Sequence, residues 1–197
     1  MAVASAARAR GARTARVDAN RGWRRRGRNA TRSALPWRPA VTVWRVISAD
    51  FSSSPLSAEG ARRLGGRWNP PGVAVLYTAS TEALAYLERF VHVGPELKDS
   101  PHLMLKIEVP EHGGIVSIER KHLPTSWKAV PVPPAVQAIG GRWASEGTAI
   151  TMIVPSVISD SDRNILLNAA HPEYRKVRVL RKRPFIYDPR MWKFTAT

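Results

Sequence analysis

The chain has no cysteine. Disulfides, thiolate zinc sites and cysteine nucleophiles are thereby excluded, and a reducing compartment suits the sequence at least as well as secretion. No apolar run approaches the roughly 18 residues of a membrane span, and the N-terminus lacks the apolar core of a signal peptide. The five histidines, at 92, 102, 112, 122 and 171, show neither HExxH nor another ligand spacing, so no metal site is expected. GxGxxG, GxxxxGK[ST] and GxSxG are also missing, so spacing alone supports neither nucleotide binding nor a serine hydrolase.

Acidic residues are scarce at one end. Residues 1–38 hold eleven arginines against one acid, Asp18, a balance of +10 out of a formal net charge of +16. The remaining 159 residues carry 20 Lys/Arg against 14 Asp/Glu, so the body is only mildly basic at +6. The first 40 residues are rich in Ala, Arg, Gly and Ser and cannot bury enough apolar surface to offset ordering entropy, so a disordered extension is expected. A nucleic-acid-binding arm, an organelle presequence and an upstream start site are its alternative readings, with a dispensable tail preferred.

At 197 residues the chain suits one domain plus an extension. The division expected is residues 1–40 as the basic extension, 41–190 as the folded domain and 191–197 as a tail. Within the domain, 42–47, 73–79, 102–110 and 113–119 read as strands, and 149–158 as a strand interrupted by Pro155. Residues 80–93 read as a helix capped by Ser80 or Thr81, with Leu84, Leu87 and Val91 on its apolar face and Gly94-Pro95 at its end. Residues 133–147 read as a short helix, 164–174 as a turn of helix entering a loop, and 177–188 as one strand or two split at Pro184. Many strands, few helices and no regular βαβ alternation predict an α+β fold with a mixed or antiparallel sheet core. GGRW occurs at 65–68 and again at 140–143, but nothing around it repeats.

Several polar residues stand where packing alone does not ask for them. Glu88 lies about 40° from Leu84 around the predicted helix, at the margin of its apolar face, while Glu82 and Arg89 point away. A carboxylate there needs a hydrogen-bonding or cationic partner, or an outlet to solvent. Arg45 interrupts an apolar strand; a solvated strand face would account for it. Arg67 sits in the loop GGRWNPPG, and a guanidinium beside glycines suits bidentate recognition of phosphate or carboxylate. Tyr77 ends the following strand and offers a flat face and a hydroxyl. Ser156 follows a proline within an apolar strand, and Asn168 and His171 end an apolar turn. Such a set could hold a phosphate-bearing ligand while a carboxylate stabilises a cationic transition state; residue chemistry alone leads no further.

The ordered series WR (44–45), GGRWNPPGVAVLYTAS (65–80), EALAYLE (82–88), VPS (154–156) and LLNAAHPEY (166–174) resembles the RES-domain family, toxins of bacterial RES–Xre toxin–antitoxin pairs. The resemblance covers about residues 41–187 and leaves the basic extension outside. It implies a fold similar to ADP-ribosyltransferases and an activity that degrades NAD+ by cleaving the nicotinamide–ribose bond, with water or inorganic phosphate as co-substrate and no bound cofactor. Glu88, Arg67 and Tyr77 are the implied catalytic residues. Arg45, Arg67, Tyr77, Ser156 and Asn168 are the implied binding residues. The implied partner is a helix-turn-helix, Xre-like antitoxin that blocks the active site, so that DNA is met only through it, and a homodimer within that complex is compatible. A cytoplasmic protein without membrane contact is expected.

Two other functions stay open at this stage. The same residues would serve an ADP-ribosyltransferase that modifies a macromolecule. A non-enzymatic nucleic-acid binder would instead rely on the N-terminal arm, and deleting residues 1–38 would cost it affinity and salt dependence while sparing an NAD enzyme.

Overall fold

A computed structural model describes residues 41–92 and 100–192. The expectations for the basic extension, for Gly94-Pro95 and for residues 193–197 lie outside the described residues.

Seven strands form one sheet: β1 (Val41–Ser48), β2 (Val75–Ala79), β3 (His102–Val109), β4 (Ile115–Ser117), β5 (Thr151–Pro155), β6 (Arg163–Asn168) and β7 (Arg178–Phe185). Their order is β4-β5-β6-β2-β1-β3-β7. Only β4 and β5 run parallel; every other pair is antiparallel. Among the described residues three α-helices accompany the sheet: α1 (Glu59–Leu64), α2 (Glu82–Phe90) and α3 (Pro134–Glu146). The α+β class with an antiparallel sheet core is therefore the observed one.

Alternation along the strands divides the core. Val43, Ile47, Leu76, Leu105, Ile107, Ile165 and Leu167 occupy one face of the sheet. On the other face, Val75, Met152, Val154 and Leu166 meet Val136 and Trp143 of α3, with Trp68 from the GGRW loop. On that same face Val46, Ala79 and Met104 meet Leu84 and Ala85 of α2, with Phe185 and Tyr187 from the last strand and its continuation. The two helices thus share one side of the sheet, and the seam between their clusters falls at the β2–β6 pair, beside Tyr77.

Local chemistry explains the element ends. Thr81 is extended and its hydroxyl accepts from the Leu84 N–H, so α2 starts where the cap was expected; such a cap contributes about 1 kcal/mol. The helix stops at Phe90, earlier than predicted. Val91 is its cap and is exposed, so the buried face is Leu84 and Ala85 with Leu87 half-buried. Glu82 and Arg89 do not face away either: Glu82 ion-pairs with Arg183 on β7, and Arg89 is half-buried. α3 is a full 13-residue helix, opened by Pro134 and closed at Gly147, which takes a left-handed φ of 58° suited to glycine.

Residues 164–174 are corrected. Arg163–Asn168 form a strand, β6, between β2 and β5, followed by a 3-10 turn at Pro172–Lys176. Ile165–Asn168 are buried on both faces, which removes the alternation that would have marked them as strand. β7 is one strand that includes Pro184, and it lies at the sheet edge, where proline is best accommodated. Helix α1 was not foreseen: it buries no residue of its own.

Candidate active site

The GGRWNPPG loop is held mainly by Asn69, which is fully buried. Its amide donates to the carbonyls of Ala61, Pro70 and Val73, and its Oδ1 accepts from the Tyr77 hydroxyl at 2.7 Å. That hydroxyl in turn accepts from the Trp68 N–H at 3.0 Å. Gly66 leaves room for this: a Cβ there would lie 2.5 Å from the Tyr77 oxygen. Burial raises the Tyr77 pKa, so the hydroxyl stays protonated and keeps donating. Trp68 covers the core, and the tyrosine locks the loop to β2.

The two GGRW stretches are not a repeat, since one is a loop and the other lies within α3, but they touch. Gly140 of the second packs directly against the Trp68 carbonyl of the first, and Trp68 and Trp143 share one buried cluster.

From this scaffold Arg67 reaches the 127–129 segment. Its Nη1 donates to the carbonyls of Trp127 at 2.6 Å and Ala129 at 3.2 Å. Partial burial lowers its pKa, while the nearby charge of Glu88 and the Tyr77 hydroxyl act in the opposite sense. The charge of Glu88 thus reaches Arg67, and Tyr77 adjoins the loop that carries Arg67.

Glu88 projects from α2 over the ends of β5 and β6. Its Oε1 accepts from Ser156 Oγ at 2.9 Å and from Asn164 Nδ2 at 2.7 Å, whereas Oε2 has no hydrogen bond among the described residues. Ser156 is completely buried. Its oxygen accepts the N–H groups of Ile158 and Ser159 at 3.0 and 3.2 Å, which leaves its single proton for Glu88.

Arg45 joins the site from the opposite face. The register of β1 on β2 consists of one pair, Trp44↔Ala79, and beyond it Arg45 Nη1 donates to the Tyr77 carbonyl at 2.5 Å. A solvated strand face does not explain this arginine: burial lowers its pKa to about 10, with Tyr174 opposing and Arg89 reinforcing that shift. Its Nε and that of Arg89 are buried without a partner. Among the described residues, neither Arg45 nor Arg67 is ion-paired with a carboxylate.

A buried cation without a counter-ion is costly, so it marks a function more than a stabilising contact. Because the folded-state pKa of Arg45 lies below the unfolded value, the fold holds this proton less tightly, and the cost is present in full below about pH 10. Arg45→Leu is accordingly expected to leave the thermal midpoint unchanged or higher near pH 7, while weakening any anionic ligand about tenfold or more. Thermal melts paired with a ligand titration check both parts.

Asn168 is not brought to this cluster. It sits four residues along β6 from Asn164, roughly 13 Å away at strand rise, and its amide is used by Ala144 O and the Ala170 N–H. Asn164, which the sequence reading did not single out, stands beside Glu88 instead. The signal was weak: both asparagines share one strand parity, and only the register, Asn164↔Ala79 against Asn168↔Val75, separates them. His171 accepts from the Glu173 N–H and caps a turn. No group of three or more His, Asp or Glu residues able to hold a metal ion occurs among the described residues, and none of their helices is long and apolar enough to cross a membrane.

Fold and site together define a mixed α+β domain with an oriented carboxylate, Glu88, whose charge acts on Arg67, and a second arginine, Arg45, held from the opposite face, neither arginine ion-paired among the described residues. The RES domain family profile matches residues 42–188. A Sphingobium sp. protein named Prs ADP-ribosylating toxin is 36% identical over 156 residues, covering 77% of this chain and 96% of that protein. Toxin Res of Yersinia enterocolitica is 30% identical over 152 residues, covering 77% of this chain and 99% of its own. The M. tuberculosis MbcT-MbcA toxin–antitoxin crystal structure contains a chain that superposes with a TM-score of 0.61 at 18% identity, over 75% of this chain and 85% of that one, a likeness of fold. The chain belongs to the RES-domain family, the toxins of RES–Xre toxin–antitoxin systems.

Proposed function

We propose that this toxin consumes NAD+ by cleaving the bond between nicotinamide and ribose. The observation that carries this reading is the division of the Glu88 carboxylate, with Oε1 fixed by two neutral donors and Oε2 left without a hydrogen bond among the described residues, while its charge acts on Arg67. Nicotinamide departs as a neutral molecule, so no general acid is required for its departure. Positive charge builds up on the ribose carbon, and a preorganised carboxylate stabilises it. In this reading Oε2 holds a ribose hydroxyl, Tyr77 packs beside the nicotinamide ribose, and Arg45 and Arg67 bind the pyrophosphate. Water as acceptor yields ADP-ribose and a proton; inorganic phosphate yields ADP-ribose 1-phosphate. NAD+ is thus a substrate, and the chain requires no resident cofactor. The likeness to ADP-ribosyltransferase folds that the family implies belongs to the same proposal.

A second acceptor is favoured by one specific finding. The Sphingobium relative is named as a Prs ADP-ribosylating toxin, and the same Glu88 geometry would serve transfer to a macromolecule. Incubating the purified chain with NAD+, with and without phosphate, and resolving products by chromatography tests the proposal. Release of nicotinamide supports it, and the accompanying product identifies the small acceptor. Intact NAD+ under both conditions, and again with cell lysate added as a source of protein acceptors, would sink it.

Arg67→Ala is expected to raise the KM for NAD+ by about tenfold, the scale of one charge-assisted hydrogen bond. Steady-state kinetics check this, with kcat also falling if the arginine places the reacting ribose. The partner in this reading is an Xre-like helix-turn-helix antitoxin seated over Glu88 and Arg67, through which any DNA contact would pass.

A further inference from the structure

Glu88 is the only member of the site that must present one particular oxygen. A carboxylate on a surface helix rotates freely and exchanges its two oxygens unless it is held. Here two donors converge on Oε1 from adjacent strands: Ser156 from the end of β5 and Asn164 from the start of β6. β5 and β6 are in register at Val154↔Asn164, which places both donors at the same end of the sheet, opposite α2. Ser156 is itself immobilised by two backbone N–H groups. The amide of Asn164 has one partner among the described residues, Glu88, at 2.7 Å.

We propose that Asn164 is the residue that aims Glu88: its amide pins Oε1 and thereby turns Oε2 toward the reacting ribose. The two donors are neutral, so they orient the carboxylate without cancelling its charge, which an arginine or lysine in the same place would do. Asn168 has the same chemistry on the same strand but spends it on backbone groups, so it holds the fold and not the carboxylate. Asn164 is a positioning residue, acting through Glu88. What Oε2 meets rests on the NAD+ reading above; the pinning of Oε1 does not.

The full-length chain with Asn164→Leu and Asn164→Asp, each alone and combined with Glu88→Gln, separates these two parts. NAD+ turnover and thermal midpoints are measured from about pH 5.5 to 8.5. Asn164→Leu should lower kcat about 10- to 100-fold with KM within about threefold, as expected of a misaimed group. Asn164→Asp should be worse than Asn164→Leu at pH 8, because like charges then share Oε1, and it should recover as the new carboxyl takes up a proton and donates again. Its thermal penalty at pH 8 should vanish in the Glu88→Gln background, as coupling between touching residues requires. Equal losses and identical pH profiles for Asn164→Leu and Asn164→Asp would overturn the proposal, as would a thermal penalty unchanged by Glu88→Gln. If the unaltered chain leaves NAD+ intact with and without phosphate and with lysate added, the NAD+ reading falls and the melting cycle alone decides: coupling keeps Asn164 as the residue that orients Glu88, and its absence removes it.

Discussion

Glu88→Gln is expected to lower kcat for NAD+ by about 10³-fold while KM stays within about threefold, the scale of removing a preorganised electrostatic stabiliser. The substitution is informative because the site accommodates its shape. Ser156 and Asn164 both donate to Oε1, so the amide oxygen of glutamine takes that position and the NH2 group falls where Oε2 was. Both structural hydrogen bonds survive, and the thermal midpoint should barely move. What changes faces the substrate: an acceptor bearing negative charge becomes a neutral donor, which neither accepts from a ribose hydroxyl nor stabilises a cationic carbon. The loss therefore falls on the transition state and not on ground-state binding. Single-turnover kinetics with an independent NAD+ binding titration check it; turnover equal to the unaltered chain would overturn the mechanism.

The largest expected effect on folding comes from Gly140→Ala. In an ordinary helix interior this exchange stabilises by up to about 1 kcal/mol. In α3 it should destabilise by about 3 kcal/mol, because the new Cβ overlaps the Trp68 carbonyl, a backbone group that cannot swing aside, and also crowds Met152. For a domain of this size that corresponds to a fall of about 6–12 °C in the thermal midpoint. Gly60→Ala in α1 is the control, since a Cβ there meets nothing within 4 Å, and its midpoint should hold or rise slightly. Displacing Trp68 also displaces the adjoining Arg67, so the surviving folded Gly140→Ala protein should show a raised KM. Calorimetry of the two variants followed by kinetics at a permissive temperature tests both consequences.

Much of the fold was legible because local rules and tertiary packing agree. Alternation marked β3, Thr81 marked the start of α2, and Pro134 and Gly147 bracketed α3. Legibility failed where an element has no pattern of its own. β6 is buried on both faces and so carries an apolar run that fits strand or helix. α1 buries no residue fully and is tied down from outside, by the Asn69 amide on the Ala61 carbonyl and the Gly72 N–H on the Arg62 carbonyl.

For the site, the sequence alone determined the inventory: no thiol, no ligand-spaced histidines, a carboxylate at the edge of an amphipathic helix, two misplaced arginines, and an ordered set of motifs that identifies the family. Those features are properties of residue type and spacing, which survive without coordinates. Only the tertiary structure decided which groups meet. It tied Tyr77 to Asn69 and Trp68, set the two GGRW stretches against each other, and put Asn164 instead of Asn168 beside Glu88. Strand parity gives both asparagines the same face, and their distance from Glu88 depends on how β6 registers against β2 and β5, a relation among residues up to 93 positions apart in which no single segment carries the answer.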